Sequence, residues 1–487
     1  MDNLMNGIDL TMLFDYYEMT MMNGYFENGM GNRIAYFDMF FRRVPDDGGF
    51  AIMAGLEQVV SYIENLHFSE EDIAFLTSKK IFSKEFLDYL RHFKFTCDIW
   101  AMPEGTIIFP GEPILTVRGP VLEAQLLETM LLLTINHQSL IATTANRIVR
   151  AANGRPVAEF GARRAHSYSA AIYGARAAYI GGCASTSCAI TDRDFGVPAS
   201  GTMAHSWVQM FDTEYEAFAA YAKAYPSSCL LLIDTYDVMQ SGLPNAIRCF
   251  KEVVVPSGNR PLGIRIDSGD IAYLTKKVRK ALDDAGFPDA KIVISNSLDE
   301  FLIRDVLNQG ACIDSFGVGE RLITSRSEPV FGGVYKLAAV EDEKGNIIPK
   351  IKLSENIAKI TNPGFKKVWR LYGEDGEAVA DVLTLHDEVI DPSNGPYTIF
   401  HPEHTWKSKK LENFTAREML VPIYKGGKLV YKLPTVKEIR AYCEEELSRL
   451  WVEVKRFENP HIFYVDLSEK LWSIKETLLK NKGSLNA

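Results

Sequence analysis

Residues 261–297 read PLGIRIDSGDIAYLTKKVRKALDDAGFPDAKIVISNS. The apolar run that opens the stretch stops in polar residues at Asp267 to Asp270. Beyond it Ile271, Leu274, Val278 and Leu282 fall on one face at helical spacing, and a second apolar run, KIVISNS, follows. Strand, helix and strand in so short a span predict one βα unit of a parallel sheet.

The same alternation extends outward from about Pro156 to Gly319. The other apolar runs are PVAEFG (156–161), SCAIT (187–191), GTMAH (201–205), CLLLIDT (229–235) and CIDSFGVG (312–319). Ser297 with Glu300 reads as a capping box that opens a helix carrying Phe301, Ile303, Val306 and Leu307. So many units in so short a length predict an α/β fold built on an irregular parallel β/α barrel, with a doubly wound open sheet as the alternative.

The rest of the chain has another texture. Residues 334–385 read as antiparallel hairpins, with turns at Lys344 to Asn346 and at Asp375-Gly376 between alternating apolar runs. The first 145 residues mix helical stretches such as VLEAQLLETMLLLTI with the strand-like GTIIFPGEPILTVRG. The expected organisation is an amino-terminal α+β domain over 1–147 completed by about 334–430. A β/α barrel over 148–333 and a helical carboxyl-terminal region over 431–487 make up the remainder.

Composition narrows the function. At 487 residues with 47% apolar side chains, two or three domains are expected. A formal net charge of −10 argues against nucleic acid as a partner, since a polyanion would be repelled. Asp2, Asp9, Asp15 and Glu18 give the start of the chain no basic character, so no targeting peptide is read, and no apolar run is long enough to span a bilayer. The seven cysteines are scattered without a Cys-x-x-Cys pair and read as reduced thiols of a cytoplasmic protein.

In a parallel barrel the residues at the carboxyl ends of the strands converge on one mouth. Here they are Arg163, Arg164, Thr202, His205, Asp234, Asp237, Arg265, Asp267, Asp270, Ser295, Asn296, Gly317 and Gly319. Arginine forks recognise carboxylate and phosphate, and carboxylates hold hard cations that travel with polyphosphates. Asp237 and Asp270 read equally as helix caps, and His205 as the opening of a helix. No G-x-x-x-x-G-K-[ST] is present, so any use of ATP does not pass through a P-loop, and no G-x-G-x-x-G follows a strand. The absence of lysine between residues 146 and 222 disfavours a Schiff-base barrel.

Taken in order, the motifs FDYYEMTMMNGYF (14–26), EFGARRAHS (159–167), GTMAHSW (201–207), LLIDTYD (231–237), IRIDSGD (264–270), ISNSLDE (294–300), FGVGERL (316–322) and FGGVYKL (331–337) resemble the nicotinate phosphoribosyltransferase family. The resemblance implies transfer of phosphoribose from phosphoribosyl pyrophosphate to nicotinate, driven by ATP, with magnesium accompanying the polyphosphates. It also implies a homodimer whose active site is completed by an amino-terminal tyrosine of the neighbouring subunit.

On that resemblance His205 is the histidine phosphorylated by ATP. Tyr17 and Phe160 wall the pyridine ring, while Thr202 and Arg265 hold the carboxylate with Arg163 and Arg164 nearby. Asp234 and Asp267 meet ribose hydroxyls or magnesium, and Ser295, Asn296, Gly317 and Gly319 run along the phosphoribosyl group. Two departures stand out: Asp15-Tyr16-Tyr17-Glu18 replaces the usual Asp-Leu-Tyr-Gln, and Glu320 stands where threonine often follows the late glycine. A nicotinamide-specific relative is the nearest rival, disfavoured by the paired arginines of EFGARRAHS. Quinolinate phosphoribosyltransferase, a typically shorter chain, and a non-catalytic pyridine-nucleotide sensor are further alternatives.

Overall fold

Of the seven apolar runs expected as strands between Pro156 and Gly319, the computed structural model forms five, and with Ser185–Thr186 just ahead of SCAIT they make one all-parallel sheet of six strands. It describes residues 9–295, 297–356 and 359–483. The strands are β1 (Val157–Glu159), β2 (Ser185–Thr186), β3 (Leu230–Leu232), β4 (Gly263–Ile266), β5 (Lys291–Ile294) and β6 (Ser315–Val318), in the order β2-β1-β6-β5-β4-β3. Every pairing is parallel, with Leu232 opposite Arg265, Arg265 opposite Val293, and Gly317 opposite Ala158.

That order is a ring cut once, between β2 and β3, so the expected barrel is not closed by a continuous sheet. The segment that would have closed it, GTMAH, is not a strand: residues 201–204 are irregular and His205 already opens a helix. The ladder there reaches only the Thr186–Ala199 bridge. Pro198 supplies a carbonyl to Thr186 N but has no N–H to return, which limits further pairing. The SCAIT strand is also displaced, because strand pairing ends at Thr186 and residues from Ala189 are helical.

The connecting helices used below are α1 (Tyr168–Ile180), α2 (Ala189–Phe195), α3 (His205–Gln209), α4 (Glu214–Ala224), α5 (Leu243–Cys249), α6 (Ile271–Asp284), α7 (Glu300–Asn308) and α8 (Glu320–Ile323). In α6 the predicted stripe is buried at Ile271, Val278 and Leu282, with Leu274 half-buried beside them. The capping box at α7 is corrected: Asp299 accepts the N–H of Leu302, whereas Ser297 lies two residues outside the helix. Glu300 binds Arg147 instead, at 2.8 Å.

The chain divides into two compact units, residues 141–329 and residues 1–140 with 330–487. The second of these is built on a seven-stranded sheet in which Ile34–Phe41 lies between Leu115–Pro120 and Gly333–Glu341, antiparallel to both. A four-stranded sheet is centred on the hairpin Lys366–Tyr372 and Ala378–Leu385, and Tyr464–Leu467 adds to its edge. Residues 431–487 also carry the helices Val436–Ser448 and Glu469–Lys480. Among the described residues no helix is long and apolar enough to cross a membrane.

Gly263 opens β4 at a positive φ of 151°, and a Cβ there would lie 2.0 Å from the carbonyl oxygen of Lys291. Gly263→Ala should therefore break the β4–β5 pairing. Strain alone costs on the order of 1–3 kcal/mol, and the lost pairing adds to it, so the denaturant midpoint should fall clearly below that of wild type.

Candidate active site

Side chains alternate along a strand, so the residue two beyond a buried strand position returns to the same face. At the ends of β3 and β4 this brings Asp234 and Asp267 side by side. Oδ2 of Asp234 accepts the N–H of Asp267 at 2.9 Å and the hydroxyl of Ser268 at 2.6 Å. Oδ1 of Asp234 is buried and has no hydrogen-bond partner. It points toward Nε2 of His205 at 4.0 Å.

His205 comes from the other side of the seam, as the first residue of α3. Its Nε2 lies 3.8 Å from Oδ2 of Asp267, whose Oδ1 accepts the hydroxyl of Ser295 at 2.9 Å. Its Nδ1 meets Oγ1 of Thr235 at 3.2 Å. The imidazole is 41% exposed while the Asp234 side chain is only 1% exposed. The arrangement is an accessible imidazole standing over two carboxylates whose own orientations are fixed from behind.

Arg265 adds the opposite charge. Its Nη1 donates to Thr202 Oγ1 at 2.8 Å, and its Nε is buried without a partner. Burial holds the guanidinium below its ordinary pKa, Asp267 and Asp234 act against that shift, and Arg163 adds to it by repulsion. A cation with a spare donor, crowded by a second cation, is a receptor for a planar anion.

Phe160 and the late glycines form a separate wall. A Cβ on Gly317 would stand 2.4 Å from Cδ2 of Phe160 and 3.2 Å from Cβ of Ser295, so only glycine lets the ring lie against β6. Gly319 has the same relation to the Phe160 carbonyl, at 3.1 Å. Glu159 locks this corner: its buried carboxylate accepts the N–H of Gly161 and, at 2.7 Å, the hydroxyl of Thr186. Arg163 and Arg164 sit on the exposed turn Ala162–Arg164 that follows.

The structure thus gathers His205, Asp234, Asp267, Arg265, Thr202 and Ser295 into one contact network, with Phe160, Gly317 and Gly319 joined through β6. Asp237 and Asp270 are helix caps, accepting N–H groups of Met239 and Gln240 and of Tyr273 respectively. Glu320 pairs with Arg326 at 3.2 Å. Asn296 lies outside the described residues, and Tyr17 belongs to the other unit. The sequence reading assigns no role to Thr235, Ser268 or Glu159. Thr235 and Ser268 each directly follow a site aspartate, which is the one signal that could have drawn attention to them.

A parallel α/β protein whose strand ends present an imidazole, two oriented carboxylates and a half-buried, underpaired arginine is equipped to handle anionic substrates. The sequence agrees with a defined group of them. The nicotinate phosphoribosyltransferase amino-terminal domain matches residues 12–136, the family's central model residues 156–352, and its carboxyl-terminal domain residues 365–475. A nicotinate phosphoribosyltransferase of Bacillus subtilis is 44% identical over 469 residues, covering 96% of this chain and 94% of its own. Its human counterpart is 32% identical, with 96% of both chains covered. The crystal structure of human nicotinic acid phosphoribosyltransferase superimposes with a TM-score of 0.85 at 30% identity, covering 96% of this chain and 99% of that one. The chain belongs to the nicotinate phosphoribosyltransferase family.

Thr235→Val removes the hydrogen-bond partner of Nδ1 while keeping the side-chain shape. The tautomer balance of His205, read from its imidazole nitrogen resonances, should change, with far-ultraviolet circular dichroism unchanged. An unaltered imidazole spectrum would show that Thr235 does not orient the ring.

Proposed function

We propose that the chain transfers the phosphoribosyl group of phosphoribosyl pyrophosphate to nicotinate, releasing nicotinate mononucleotide and pyrophosphate in NAD biosynthesis, with ATP hydrolysis driving the transfer. The observation that carries this reading is Arg265, half-buried, its Nε buried without a partner, beside Thr202 and pressed by Arg163. Nicotinate's carboxylate satisfies both the charge and the spare donor. A neutral amide would leave a buried charge undercompensated, an imbalance of up to about 3–5 kcal/mol when one partner of a buried pair is missing.

The transfer breaks the bond from ribose C1 to pyrophosphate as the pyridine nitrogen attacks, so positive charge develops on the sugar. Asp234 and Asp267 supply fixed negative charge, and the hydrogen bonds from Asp267 N, Ser268 and Ser295 mean that little reorganisation is needed when it develops. Phe160 forms one wall for the pyridine ring and Tyr17 of the partner subunit the other, in a homodimer. Arg163 and Arg164 attract the phosphates, and Ser295, Asn296, Gly317 and Gly319 line the phosphoribosyl group.

Magnesium would enter with the polyphosphates. Among the described residues no group of three or more His, Cys, Asp or Glu side chains is arranged to hold a metal alone. Asp234 Oδ1 and Asp267 Oδ2 both face the same space near His205 and are the hard oxygen donors such an ion takes. When bound, it would neutralise charge on the departing pyrophosphate.

The exposed imidazole of His205 accounts for ATP. Phosphorylation adds about two negative charges beside Asp234 and Asp267, and the resulting repulsion favours cation capture and then hydrolysis. A cytoplasmic setting suits this chemistry and the free thiols of Cys97, Cys188, Cys229, Cys249, Cys312 and Cys443.

Pyrophosphate release from nicotinate and phosphoribosyl pyrophosphate, measured with and without ATP, tests the activity directly; no release under either condition would leave the sensor reading. Labelled ATP should place acid-labile phosphate on wild-type protein and none on His205→Asn. Arg265→Ala should raise the KM for nicotinate by roughly ten- to a hundredfold, as loss of a charge-assisted hydrogen bond predicts, and that for the phosphoribosyl donor far less. Equal effects on both substrates would remove the carboxylate assignment.

A further inference from the structure

The amino-terminal helix Tyr16–Glu27 carries a carboxyl group whose surroundings disfavour its anion. Glu18, in the first turn, is completely buried. Its Oε1 accepts the hydroxyl of Thr129 on the helix Glu128–Ala151, and that same hydroxyl oxygen accepts the N–H of Asp15 at 3.0 Å. Thr129 therefore has its proton committed to Glu18. Oε2 of Glu18 is buried and has no partner.

The charges around it have the wrong sign for a carboxylate. Glu128 faces it from the adjoining helix, while Asp15, just before it on the chain, acts in the other direction through a backbone hydrogen bond. Tyr62, on Leu56–Asn65, and Tyr335, on Gly333–Glu341, face it as neutral phenols. The Tyr335 hydroxyl already donates to Ala124 O at 2.8 Å, and the buried Tyr62 hydroxyl has no partner. Lys336 places its ammonium on Glu128 at 3.3 Å. Backbone N–H groups of Asp15 and Thr129 act with the Thr129 hydroxyl in favour of the carboxylate, but burial and the like charge of Glu128 outweigh them and favour the protonated acid.

We infer that Glu18 works as a neutral carboxylic acid that pins the first turn of the amino-terminal helix against Thr129, and is thereby a positioning residue for Tyr17. Tyr17 is the adjacent residue, and its hydroxyl is engaged with Glu128, one position before Thr129. The assignment to catalysis rests on the proposed role of Tyr17 at the pyridine ring; the protonation state of Glu18 does not. Burial pushes the Glu18 carboxyl up to about 7, against the bond from Thr129 and with the help of Glu128.

The folded protein retains the Glu18 proton between the ordinary carboxyl range and about pH 7, where the unfolded chain has lost it, so this group's contribution to stability falls as pH rises across that window and is flat above it. Above it the ionised Glu18 faces Glu128, the first turn loosens, and Tyr17 loses its fixed position. Nicotinate binding weakens while the chemical step is preserved.

KM and kcat for nicotinate should be followed from about pH 6 to about pH 8.5 in wild type and in Glu18→Gln, which keeps the shape but has no proton to lose. The wild-type KM should climb by about fivefold or more relative to the variant, with the ratio of kcat values constant. Parallel KM profiles would overturn the inference. Difference infrared spectra of wild type minus Glu18→Gln should show a protonated-carboxyl band at the acid end that disappears at the alkaline end. Absence of the band at the acid end overturns the inference whatever the kinetics show. If instead the band is present and Tyr17→Ala leaves the nicotinate KM unchanged, the reading of Tyr17 has failed and the neutral Glu18 stands.

Discussion

The bond from the backbone of Asp267 to the carboxylate of Asp234 is the constraint on which the site depends. It joins the ends of β3 and β4 immediately beyond their last ladder pairings, and it uses up one oxygen of Asp234 so that the other is left facing His205. A parallel sheet makes this possible, because all its strands finish at the same edge and adjacent ends differ by only one or two residues in height. Ser268 and Ser295 then fix the two carboxylates from their outer sides. The carboxylates are thus held by one backbone N–H and two short serine side chains, none of them flexible over more than one rotor.

Around that bond the electrostatics are deliberately uneven. Asp234 and Asp267 draw in positive charge, while a few ångströms along the same edge Arg265 and Arg163 repel one another and favour an anion. The two ends of the site therefore present opposite charge. The hydrogen bond from Nη1 of Arg265 to Thr202 ties the guanidinium to the seam segment. Thr202 belongs to the irregular segment at the seam of the sheet. The break in the ring is therefore where two site residues, Thr202 and His205, enter.

The other unit shows the same economy with buried charge. Its central strand Ile34–Phe41 pairs with Gly333–Glu341, about three hundred positions away, so the two ends of this unit are held by one ladder. Within it, Lys366 meets Asp38 at 2.7 Å and Arg370 meets Asp381 at 2.7 Å, each fully buried and each compensated. Glu18 differs in having no cation of its own. A proton takes the place of one, which makes its neighbourhood sensitive to pH in a way the compensated pairs are not.

Sequence periodicity alone determined the βα alternation, the helix α6, the two hairpins at 334–385 and the residue types at the strand ends, because burial imposes a repeat of about two on strands and 3.6 on helices. The motifs fixed the family. Only the tertiary structure decided that GTMAH leaves the sheet, that Asp299 rather than Ser297 caps α7, and that Asp237 and Asp270 cap helices while Asp234 and Asp267 face the imidazole. A local pattern cannot separate a capping aspartate from a site aspartate, since both follow a strand and precede a helix. The difference lies in which distant N–H reaches the carboxylate first, and that is settled when the strands pack side by side.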